Sequence, residues 1–209
     1  MREEELSAMP EFYDILLNRR SVRSYQKRAI PWKTLQRVLN AGRWAPSAHN
    51  AQPWRFLVFQ SSTFKSDLAK AMGTKLRSDR EQDGVSPAVI DEEVQLSISR
   101  FSEAPVLVLV NLTMASMDVY PDSQRRKIEH IMAIQSVAAA IQNILLAAQA
   151  EGLAACWFCA PLFCQEVVRE VLSLSDEWLP QAIITMGFPA ETPTPPERKG
   201  LEDVVEYWS

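Results

Sequence analysis

Three kinds of hydrophobic run alternate along the chain, and each predicts a different element. Residues 106–112, VLVLVNL, are apolar at all but one position, which predicts a strand buried on both faces. Shorter apolar runs at 55–59, 154–158 and 181–186 predict three more strands. Helical spacing is the second kind. Leu35, Val38, Leu39 and Ala41 share one side of a segment that starts with Pro31 in its first turn, where the missing N–H costs nothing, and ends before Pro46. Further helices are predicted over 11–18, 64–76, 88–102 and 165–172, with Ser86-Pro87 as cap and first turn of the third. The third kind is a stretch without a single charge, 131–150, inside a helix that begins near Ile128 and stops at Gly152. Polar residues 78–84 read as a mobile loop, and 120–127 as a polar lead into the long helix. Few strands separated by helices imply an α+β or mixed α/β fold with helices packed on a central sheet.

The uncharged stretch is long enough to span a bilayer. It carries Gln135, Ser136, Gln142, Asn143 and Gln149, however, and is built largely from alanine. Apolar positions on nearly every face fit a buried core helix, so no membrane partner is expected. Ala138, Ala139, Ala140, Ala147 and Ala148 would let another helix approach closely, including one from a second subunit. With 209 residues, no repeat and no Gly/Ser linker, one domain over 1–209 is expected.

Charge changes the picture. Between residues 15 and 66 lie ten of the 22 Lys and Arg and none of the 26 Asp and Glu, in a chain of net charge −4. That overall balance argues against general nucleic-acid binding. A basic block inside an acidic protein instead suggests a dedicated anion. Residues 1–5 are too acidic and polar for a signal peptide, and three cysteines without one suit a reducing cytoplasm.

The basic block opens with Arg19-Arg20-Ser21-Val22-Arg23 at a helix end. Arginine grips phosphate through a planar fork, although arginine there also serves the helix dipole. The block closes on a loop containing Pro46, Ser47, His49, Asn50 and Gln52, with Pro53-Trp54 fixing it to the core. Amides of that kind donate and accept, as the edge of a planar ring such as a flavin requires; Ser47 and Asn50 could equally satisfy turn backbone. The two segments together point to a phosphorylated cofactor. None of the six glycines forms Gly-x-Gly, which excludes a Rossmann dinucleotide site and a P-loop and favours a mononucleotide over FAD. Cys156, Cys159 and Cys164 lack metal-ligand spacing and read as buried thiols. Gly-x-Ser-x-Gly is absent. Glu129-His130 at the start of the long helix is a catalytic candidate or a structural pair.

Two segments carry a resemblance. Arg19-Arg20-Ser21-Val22-Arg23-Ser24-Tyr25 and Ala45-Pro46-Ser47-Ala48-His49-Asn50-Ala51-Gln52-Pro53-Trp54-Arg55-Phe56 resemble the signature segments of the nitroreductase family of FMN flavoproteins. Gly152-Leu153-Ala154-Ala155-Cys156-Trp157 and Met186-Gly187-Phe188-Pro189-Ala190-Glu191 are similar to later landmarks of that family, so the likeness spans about 12–205. It implies an α+β fold with a mainly antiparallel sheet, an intertwined homodimer and FMN at the subunit interface. On that pattern Arg19 and Ser21 lie at the phosphate and Arg23 near the flavin N1–O2 edge, with Arg20 a further cofactor-binding residue of the same segment. Ser47, Asn50 and Gln52 approach from the partner subunit, with Pro46 a further cofactor-binding residue of that loop. Backbone at Cys159 and Ala160 faces the ring near N5, and Gly187 and Arg198 close the ribityl-phosphate end, with Lys199 as a substitute.

The implied activity is hydride passage from NAD(P)H through flavin to a conjugated or nitro-type acceptor, with no side chain nominated as acid or base. Residues 78–84 and 120–127 are expected to shape the acceptor pocket. Tyr120-Pro121-Asp122-x-x-Arg125, then Glu129-His130-x-Met132, are more similar to the flavin domain of the coenzyme F420 glutamate-ligase protein, which raises a deazaflavin-like acceptor. A flavin-modifying enzyme, as in the lower-ligand benzimidazole synthases, and a non-catalytic flavin-binding protein are the rival readings.

Overall fold

The continuous apolar run forms the middle of the sheet. In the computed structural model, which describes residues 11–208, Val106–Leu112 (β2) pairs with Trp54–Phe59 (β1) on one side and Leu179–Gly187 (β4) on the other. Ala154–Phe158 (β3) completes the order β1-β2-β4-β3, and every pairing is antiparallel. The expectation for residues 1–5 lies outside the described residues.

Side chains alternate along β2. Val106, Val108, Val110 and Leu112 enter one core and Leu107 and Leu109 the other, so both faces need cover and the strand has no solvent side. The first core is closed by Trp32–Arg43 (α2) and Ser123–Ala150 (α5), the second by Ser62–Gln82 (α3), Pro87–Ser102 (α4) and Gln165–Val171 (α6). Glu11–Asn18 (α1) leads into the basic segment.

The long helix α5 is the one among the described residues long and apolar enough to cross a membrane. Ala133, Val137, Ala140, Ile141, Ile144 and Ala148 put one face of it into the first core. Contact with α2 is close: a Cβ on Gly42 would lie 2.7 Å from Ile144 Cγ1. Asn143 donates to the Ala41 carbonyl at 3.1 Å in the same seam. The helix ends as expected. Gly152 has φ +69°, and the N–H groups of Gly152 and Leu153 close back on the carbonyls of Gln149 and Ala148, a Schellman motif.

Four expectations need correction. Residues 78–84 are not a loop: α3 continues to Gln82. Its polar end is held by an i,i+4 pair between Lys75 and Asp79 and by Arg77–Asp91 and Arg80–Glu93 pairs onto α4. The long helix starts at Ser123 rather than near Ile128, because the Asp122 carboxylate accepts from the Arg125 N–H at 2.8 Å. Strand β4 begins at Leu179 and includes Pro180, tolerated beside the register shift at Val110/Asn111. Pro31 precedes α2 as its cap residue instead of sitting in its first turn.

Candidate functional site

The basic segment is laced to the open edge of the sheet. Ser21 forms a parallel bridge to Ala155, and Tyr25 an antiparallel one to Pro189. The Val22 N–H donates to Ala155 at 3.3 Å and the Gln26 N–H to Phe188 at 2.9 Å. Tyr25 anchors the bend, its hydroxyl 2.6 Å from the Val22 carbonyl and 2.7 Å from the Thr185 hydroxyl. This bend demands a glycine below it, since a Cβ on Gly187 would fall 2.8 Å from both Tyr25 Cβ and Pro105 Cγ.

Charge converges on β3. Burial pushes the Cys156 thiol up, opposed by the nearby Arg23, Arg100 and Arg19 guanidinium groups and by a hydrogen bond with Ser21. Arg23 also sits 5.9 Å from the Phe158 ring centre, next to exposed Cys159. Between this segment and α4 lies an open cleft of about 900 Å³ whose lining includes Arg23, Lys27, Lys65 and Arg100. Burial lowers the Lys65 amine, which donates to the Ala104 carbonyl at the end of α4. Arg20 behaves differently from its neighbours. Its guanidinium turns back to the Leu17 and Arg19 carbonyls, at 2.7 and 2.9 Å, and closes the end of α1.

The second signature segment folds as a tight turn ahead of β1. His49, Asn50 and Gln52 all have positive φ, 55°, 51° and 48°, an unusual concentration for residues with a Cβ. Ser47 Oγ accepts from the Gln52 N–H at 3.1 Å, so its oxygen serves the turn while its O–H can still donate. The Ala48 N–H donates to Ser136 Oγ of α5 at 3.1 Å, and Arg55 reaches the Gln52 carbonyl at 3.3 Å. Asn50 and Gln52 remain exposed.

The two segments stand far apart within one chain. The turn leads into β1, one edge of the sheet, and the basic segment borders β3, the other. Along α5 the turn docks at Ser136, whereas Arg20 and Val22 share a hollow with Gln149. Thirteen residues of helix separate those marks, about 20 Å at 1.5 Å per residue.

Comparison with known proteins places this architecture. The chain matches the nitroreductase family over residues 16–188. It belongs to that family. A Methanothermobacter thermautotrophicus protein provisionally named NADH dehydrogenase/NAD(P)H nitroreductase is 30% identical over 86% of this chain and 78% of its own length. A BluB-like flavoprotein from Clostridium difficile superposes with TM-score 0.80 at 24% identity, over 96% of this chain and all of that one. A Desulfovibrio desulfuricans protein, provisionally a nitroreductase and solved in complex with FMN, gives TM-score 0.73 at 24% identity over 97% and 99%. At such identities the two structures speak for the fold alone, a nitroreductase-like α+β fold with an antiparallel sheet.

Against this family frame the residues singled out from sequence divide by place. Arg19, Ser21, Arg23, Cys159 and Ala160 gather along and beyond β3, with Gly187 buried where β4 ends beside it. Pro46, Ser47, Asn50 and Gln52 lie together at the opposite edge, and Arg198 with Lys199 is exposed in the tail. All three cysteines are free, but Cys159 is exposed rather than buried. Sequence reasoning missed Arg100, whose charge acts on Cys156 with those of Arg19 and Arg23, and Phe158, whose ring lies against Arg23. It also coupled Glu129 with His130, whereas the structure couples it with His49. Residues Tyr120, Asp122 and Arg125 serve the start of α5: Arg125 pairs with Asp122 and stacks 4.6 Å from the Tyr120 ring centre.

Proposed function

We propose that this chain is an FMN-dependent oxidoreductase acting as an intertwined homodimer, with each flavin held between two subunits. One observation supports the reading: the two candidate segments dock about 20 Å apart along α5, a separation that favours a second copy to bring both to one ligand. Exposed apolar side chains favour such a partner. Ile128, Ile131 and Ile134 on α5, Trp44 before the turn, and Tyr207 and Trp208 in the tail all face outward.

The donor set suits FMN. Arg19 and Ser21 would hold its phosphate, Arg23 an electron-rich ring edge, and Asn50 and Gln52 of the other copy the polar edge of the ring. Arg198 or Lys199 would close the phosphate end, and backbone at Cys159 and Ala160 would border the ring. Bound there, FMN supplies a two-electron carrier between a reduced nicotinamide and an acceptor. The chain's own part is to bind, orient and place positive charge near the ring. A groove of about 320 Å³ lined by Asp79, Arg80, Ala160 and Phe163 is the proposed acceptor entrance, which gives the end of α3 a role in acceptor choice.

Purified protein, examined for its visible spectrum and then mixed with NADPH or NADH without oxygen, tests the reading. A yellow protein that bleaches is the expected outcome. A yellow protein that stays yellow would overturn the nicotinamide donor, and a colourless protein that refuses added FMN would overturn the flavin site.

A further inference from the structure

His49 belongs to the turn ahead of β1, but its side chain joins a separate group of residues. Its Nε2 lies 3.3 Å from Glu129 Oε1 and 3.9 Å from Asp118 Oδ2. One ligand atom from each of the three lies within 4.8 Å of the other two. Glu129 is only 4% exposed, and its second oxygen, Oε2, has no hydrogen-bond partner among the described residues. A buried carboxylate with an unmatched oxygen is costly unless something cationic or protic meets it.

The imidazole cannot meet that demand alone. Nε2 carries at most one hydrogen, yet two carboxylates face it. The 3.3 Å separation from Glu129 is long for a charge-assisted hydrogen bond, which runs at about 2.7–2.9 Å. It matches the distance of about 3.3 Å between two donors on a tetrahedral ion with arms of about 2.0 Å. Asp118 is largely exposed, with 57% of its side chain accessible, so it can move inward to complete the set.

We infer that His49, Asp118 and Glu129 form a binding site for a divalent transition-metal ion, with zinc the first choice. One imidazole nitrogen and two carboxylate oxygens suit zinc and its first-row neighbours, and an all-oxygen preference excludes calcium and magnesium as better occupants. The three ligands come from three chain segments, so the ion would tie the turn to α5 and to the stretch around Met117. That tie also accounts for the left-handed backbone at His49 and Asn50, a conformation that persists only where its surroundings hold it. The site stands independently of the flavin reading.

The test is a titration of chelator-stripped protein with cobalt(II) as the optical probe, followed by displacement with zinc(II). One cobalt ion per chain is expected. Affinity should fall by at least about tenfold in His49→Ala and in Glu129→Gln, while His130→Ala keeps that of the wild type. Zinc should raise the thermal midpoint of the wild type and leave that of Glu129→Gln unmoved. Wild-type protein that binds no cobalt, or ligand variants that keep the wild-type affinity, would overturn the site.

Discussion

The hydroxyls of Tyr25 and Thr185 stand 2.7 Å apart, joining positions 160 residues distant in sequence. The contact ties the basic segment to β4, and burial pushes the Tyr25 phenol well above its ordinary range. Tyr25→Phe should lower stability by about 1–2 kcal/mol, because the Val22 carbonyl and the Thr185 hydroxyl lose their partner. Urea denaturation measures this; an unchanged midpoint would show that the bend is held by its backbone bridges alone.

Protonated buried groups also set the alkaline limit. Burial raises the Cys164 thiol from 9.0 to about 11, and Cys156 and Tyr25 shift in the same direction. Each keeps its proton longer when folded than when unfolded, so stability falls as pH rises. The contribution of Cys164 is complete below pH 9 and lost progressively toward pH 11, at most about 2–3 kcal/mol. Cys164→Ala should flatten that part of the stability curve in urea titrations at stepped pH.

Helix packing at Gly42 has little tolerance. An added Cβ would meet Ile144 Cγ1 and Cδ1 at 2.7 and 2.9 Å, so Gly42→Ala should destabilise by about 1–3 kcal/mol. Ile144→Ala removes both atoms. The double variant should therefore cost less than the two single changes added together, which thermal unfolding of all three would show.

Two adjacent arginines should differ. Arg19→Ala should weaken FMN binding by about 1.5–3 kcal/mol, the value of a hydrogen bond to a charged group. Arg20→Ala should change it less, since that guanidinium closes the end of α1. Quenching of FMN fluorescence on titration measures both, and equal losses would contradict the division.

Much of the fold was legible because its signals are local. β2 showed itself as a run too apolar for any exposed face, and the end of α5 as one glycine at the required position. The end of α3 was hidden because its charged residues look like loop until Arg77 and Arg80 find Asp91 and Glu93 on the next helix. Pro180 hid the start of β4, since a proline argues against a strand until a bulge accommodates it. The Asp122 cap was present in the sequence and was read only as polarity. At the site, residue types were readable and distances were not. His49 and Glu129 are 80 positions apart, and no pattern along the chain pairs them.

The separation of Arg19 from Asn50 has a genetic consequence under the proposed dimer. Every flavin site would draw its phosphate clamp from one chain and its amide edge from the other. Arg19→Ala and Asn50→Ala homodimers would then each carry two damaged sites. A heterodimer of the two would concentrate both lesions in one site and leave the other whole. Two defective proteins, refolded together, should complement each other and recover flavin binding at one site in each mixed pair.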